Sequence, residues 1–72
     1  MSQTRETLIT MANQIATFFQ SQGAPDLAAR DTAQHIKDFW APRMRRDLLD
    51  MIAAGEAQRL SPIASDAMHR LK

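Results

Sequence analysis

Asp38-Phe39-Trp40-Ala41-Pro42-Arg43-Met44-Arg45-Arg46 is the stretch that decides how this chain folds. An apolar helical pattern runs into it and another runs out of it. Between them, Pro42 biases Ala41 away from the helical region, so the spacing predicts a tight corner there. Upstream of the corner, Ala29, Thr32, Ala33, Ile36, Phe39 and Trp40 form one stripe of a helix over residues 25–40. Pro25 suits its first turn, and Asp26 places negative charge near its N-terminus. Downstream, Met44, Leu48, Leu49, Met51 and Ile52 give a wide apolar face to a helix over residues 42–54, with Gly55 as its stop.

The same reading extends to both ends. Leu8, Met11, Ala12, Ile15, Phe18 and Phe19 recur at three- and four-residue steps, which predicts a first helix over residues 4–22. Thr4 is its candidate N-cap, and Gly23 is expected to end it in a left-handed conformation. Ser61-Pro62 combines an N-cap serine with a proline at the first helical position and opens a fourth helix over residues 62–71. Ile63, Ala67, Met68 and Leu71 supply its short stripe. Valine and tyrosine are absent, and no alternating β-branched run appears. The expected fold is all-α: a small bundle of about four short helices in a single domain over residues 1–72.

Composition narrows the function. Ordering 72 residues costs about 100 kcal/mol of chain entropy, which a core this small barely offsets, so a partner is expected. Cysteine is absent, which removes disulfides, thiolate metal sites and cysteine nucleophiles. Two glycines cannot build a GxGxxG or Walker A loop. A net charge of +1 gives little bulk attraction to nucleic acid or acidic lipid. No secretory signal and no run approaching a membrane span of ~20 apolar residues is seen, and a cytoplasmic location is expected.

The candidate chemistry is sparse. Asp31, His35 and Asp38 lie at one-turn spacing and could form part of a metal site or a carboxylate-oriented base. Only His69 adds a second imidazole, no further motif completes a site, and a solvent-facing row of charges is the preferred reading. Arg43, Arg45 and Arg46 form the basic cluster. They could grip carboxylates of a partner, or pair with Asp47 and Asp50 at i,i+4 along their own helix. Adjacent residues on a helix diverge by about 100°, so at least one of Phe18, Phe19, Phe39 and Trp40 should lie at an edge.

Three stretches carry a family likeness: Met11-Ala12-Asn13-Gln14-Ile15 with Phe18-Phe19, His35 through Arg46, and Leu60-Ser61-Pro62. Together they resemble the small delta subunit of NAD-dependent, molybdenum-containing formate dehydrogenases, the FdsD-type family. The Phe-Trp-x-Pro-Arg-Met-Arg segment is the most specific of the three. The resemblance implies a non-catalytic accessory subunit of a cytoplasmic complex that oxidises formate and reduces NAD. It places the molybdenum–pterin centre, iron–sulfur clusters, flavin and NAD site in other subunits, so no cofactor is expected here. It transfers no catalytic residue. It leaves the matching positions Phe39, Trp40, Pro42, Arg43, Met44, Arg45 and Arg46 structural, partner-binding or both; of these, Phe39, Trp40, Arg43, Arg45 and Arg46 are the candidate contacts to the molybdenum-containing subunit. Two other classes compete: a small DNA-binding domain reading with residues 42–54, which Asp47 and Asp50 disfavour, and a stand-alone enzyme.

Overall fold

The helices form where proline and glycine permit. The structure, a computed structural model, describes residues 5–72 and contains α1 (Arg5–Gln20), α2 (Pro25–Phe39), α3 (Pro42–Ala53) and α4 (Pro62–His69). Among the described residues there is no strand, and no helix is long and apolar enough to cross a membrane. The all-α expectation holds, with each helix one to two residues shorter at its C-terminus than its pattern suggested. Thr4, the candidate cap of α1, lies outside the described residues.

Three prolines occupy first-turn positions, as expected of a residue with no N–H to leave unpaired there. Ser61 caps α4 by accepting a hydrogen bond from the Ala64 N–H at 3.2 Å. Gly55, at φ 73°, ends α3. Its N–H reaches the Ile52 carbonyl while the Glu56 N–H reaches that of Met51, a Schellman closure that satisfies two otherwise orphaned acceptors. Gly23 behaves otherwise: it does not take up the left-handed conformation expected of it. The last turn of α1 closes before Gly23 is reached, through the Ser21 hydroxyl on the Phe18 carbonyl and the Gln22 N–H on that of Phe19.

The core lies between α1, α2 and α4, with α3 laid mainly against α1. Leu8, Ile36, Trp40, Leu48, Met51 and Met68 fill its centre. Around them, half of the buried apolar residues are alanine: Ala12, Ala16, Ala28, Ala29, Ala33, Ala64 and Ala67. These small faces let α1, α2 and α4 approach closely, so few large side chains suffice. Thr32 is fully buried, and its hydroxyl finds no hydrogen-bond partner. The α1 stripe is rotated from the expected one: Ile9 and Ala16 are buried, Met11 and Ile15 only partly, and Phe18 is exposed.

The eight residues between α3 and α4 are tied back to α1. Asn13 donates from Nδ2 to the Arg59 carbonyl at 2.9 Å and accepts the Ser61 N–H on Oδ1 at 2.8 Å. Exposed ion pairs Arg5–Glu56 and Arg59–Glu6 flank this clasp. A single amide thereby holds both the loop and the start of α4.

Candidate interaction site at the helix corner

The corner is built from two extended residues. Trp40 has ψ 142° and Ala41 ψ 144°, so the chain leaves α2 and enters α3 without an intervening loop. The Trp40 N–H still completes the last bond of α2, to the Ile36 carbonyl. Its side chain turns inward and is only 7% exposed. The expected stripe put Phe39 and Trp40 inside together, and that is corrected: Phe39 is 75% exposed. The angular step between neighbours explains it, since burying the indole at the helix end swings the preceding ring outward. Trp40, counted among the candidate contacts, is an internal anchor of the corner and presents little surface.

Phe39 is not isolated. Its ring lies 4.7 Å from that of His35, one turn earlier, and His35 in turn meets Phe19 of α1 edge-on at 6.2 Å. Phe19 packs T-shaped on Phe18 at 5.1 Å. A row of four rings thus crosses from α2 to α1 at the surface. It borders a shallow groove of about 250 Å³ lined by Gln14, Ile15, Phe18, Phe19 and His35. The sequence reading set His35 beside carboxylates instead. Asp31 pairs with Arg30 and Asp38 accepts from Gln34, which leaves the imidazole to the aromatic row. The i,i+4 spacing of His35 and Phe39 was the available signal; the step to Phe19, on another helix, had none.

The arginines face outward. Arg43 and Arg46 are exposed, and Arg45 is half-buried. Arg45 Nη1 donates to the Lys37 carbonyl at 3.0 Å, satisfying one of the last acceptors of α2 and bracing the corner from outside. The i,i+4 pairs that the sequence offered do not form: among the described residues, Arg43, Arg46, Asp47 and Asp50 make no ion pair. An arginine N-terminal to its acid is the weaker orientation, because both charges then oppose the helix dipole. The result is two exposed guanidinium groups without an ion pair among the described residues, on the first turns of a helix that Pro42 opens.

No group of three or more His, Cys, Asp or Glu able to hold a metal occurs among the described residues. A family model described as the NADH-dependent formate dehydrogenase delta subunit, FdsD, matches residues 7–68. The chain belongs to the FdsD family. No curated protein and no solved structure matches it. The FdsD match takes in the Asn13 clasp, the whole corner from His35 to Arg46 and the Ser61 cap. The likeness read from the sequence is borne out at the level of the family.

Proposed function

We propose that this chain is a non-catalytic accessory subunit of a cytoplasmic, NAD-dependent formate dehydrogenase. On this reading it docks onto the molybdenum-containing catalytic subunit and supports its assembly or active state. The observation that carries it is the family match over residues 7–68. The corner supplies the physical means. Phe39, Arg43 and Arg46 are exposed around it, Arg45 is half-buried, and Trp40 anchors the turn from inside. Aromatic and arginine side chains on a rigid frame are the usual anchors of protein interfaces, and guanidinium groups orient a partner through bidentate carboxylate pairing. No metal, pterin or flavin is assigned to this chain. The molybdenum centre would belong to the partner.

The test is co-purification of the tagged chain with the dehydrogenase from its native cell. Replacing Arg43, Arg45 and Arg46 with glutamine removes three charges and the exposed Arg45 bond to the Lys37 carbonyl, a loss of about 1 kcal/mol, so helicity should stay near wild type. Complex recovery should fall sharply, because truncating a desolvated charged contact costs about 2–5 kcal/mol. Wild-type recovery of the triple variant would move the docking face away from the corner.

A further inference from the structure

Positive charge is unevenly distributed on this nearly neutral chain. The end of α2, one side of α3 from Pro42 to Asp50 and the residues that follow α4 converge on an open groove of about 510 Å³. Lys37, Arg45, Arg46, Arg70 and Lys72 line it, five of the nine lysines and arginines in the chain. Asp50 is the one acidic side chain in its lining. Leu49 and Leu71, both half-buried, add apolar surface. Arg70, Leu71 and Lys72 lie beyond the residues the family model matches. No helix taken alone announces this cluster.

Two of the cations are already held in place. Arg45 uses one donor on the Lys37 carbonyl, and Arg70 Nε points to Asp66 Oδ1 at 3.4 Å. Each guanidinium has five N–H donors, so most remain available. A side chain fixed before binding loses less freedom when it binds. Lys37, Arg46 and Lys72 make no ion pair among the described residues. We infer that this groove receives an acidic peptide segment of the partner protein, its carboxylates on the cations and an apolar side chain against Leu49 and Leu71.

The lining favours peptide over nucleic acid or a bare phosphate. Asp50 stands where closely spaced phosphates would repel it, and a net charge of +1 offers little long-range pull on a polyanion. No aromatic ring lines the groove to stack a base, since the ring row faces a different depression. A leucine-bearing wall suits a peptide that mixes glutamate or aspartate with apolar residues. This inference rests on the docking reading and extends it to residues of α2 and beyond α4.

The probe is a short synthetic peptide alternating glutamate and leucine, titrated into the full chain and followed by backbone amide shifts. Shifts should cluster at Lys37, Arg45, Arg46, Arg70 and Lys72, and binding should weaken steeply with added salt. Replacing Lys37, Arg70 and Lys72 with glutamate should weaken it by at least ~10-fold, with helicity checked by circular dichroism. The salt titration of the wild type stands even if that variant folds poorly. Equal binding of the glutamine-for-glutamate peptide, tighter binding of a single-stranded DNA or of pyrophosphate, or no shift at millimolar peptide would overturn the inference. The same variant then enters the co-purification. If it is recovered like wild type while an Arg43→Gln variant, whose cation lies outside the groove, is lost, the groove is wrong and the corner stands. If both are recovered, both fail.

Discussion

Two connections in this molecule do the same job by opposite means. Each delivers the chain to a proline at the first position of a helix, Pro42 for α3 and Pro62 for α4. The first takes two extended residues, has no capping side chain and is held by the burial of Trp40, with Arg45 bracing it from outside. The second takes eight residues and is held by hydrogen bonds: the Schellman closure at Gly55, the Asn13 clasp and the Ser61 cap. A short corner can hang on one apolar anchor because few bonds are free to rotate. A long one needs several polar ties, since each extra residue adds conformations to suppress.

That contrast can be broken hardest at the first connection. Trp40→Ala removes its single large anchor and should cost about 3–5 kcal/mol, near the entire stability of a domain this small. Urea titration should show the cooperative transition lost or displaced close to zero denaturant. A small shift would mean that the corner is held by something other than the indole.

Asn13→Ala is the matching cut at the second connection. It leaves the part-buried Ser61 N–H without its acceptor and frees the Arg59 carbonyl, an expected loss of about 1–3 kcal/mol. Asn13→Asp keeps the acceptor and drops the donor, so its midpoint should fall between wild type and the alanine variant. If alanine and aspartate behave alike, the bond to Ser61 does not matter and the loop is held by its neighbours.

The two glycines give the smallest and sharpest separation. A Cβ at either position meets nothing within 4 Å, so packing cannot distinguish them. Backbone conformation can. Gly55→Ala should lose about 1–2 kcal/mol by forcing a left-handed residue to carry a Cβ. Gly23→Ala should gain about 0.4–1 kcal/mol by stiffening the unfolded chain. Thermal melts of the two variants should move in opposite directions.

What could be read ahead of the structure follows the same division. The four helices and the corner were legible because proline, glycine and the Ser61-Pro62 pair act on their immediate neighbours. Helix periodicity also located Ile36, Leu48 and Met68. It failed where a helix stops: Phe39 and Trp40 both fit the stripe, and only the exit direction of the chain decides which ring turns inward. Asn13 was part of a recognisable motif, yet its role depends on carbonyl and amide groups more than forty residues away. Arg43, Arg45 and Arg46 were legible as a basic cluster, being neighbours in the chain. The cations they join, Lys37, Arg70 and Lys72, come from separate elements that no local pattern links.

The alanine-rich core sets how this chain can change over generations. Ala12, Ala16, Ala28, Ala29, Ala33, Ala64 and Ala67 already carry the smallest apolar side chain that still favours a helix. A step down is glycine, which loosens the backbone; a step up is a methyl group pushed into a neighbouring helix. Drift at these seven sites is therefore blocked in both directions. Positions such as Met11, Ile15, Met44, Leu49 and Ile63, packed on the rim of the core, can exchange one hydrophobe for another of similar volume. Descendants of this sequence are free to remodel their flanks and their charges while inheriting nearly the same helix spacing.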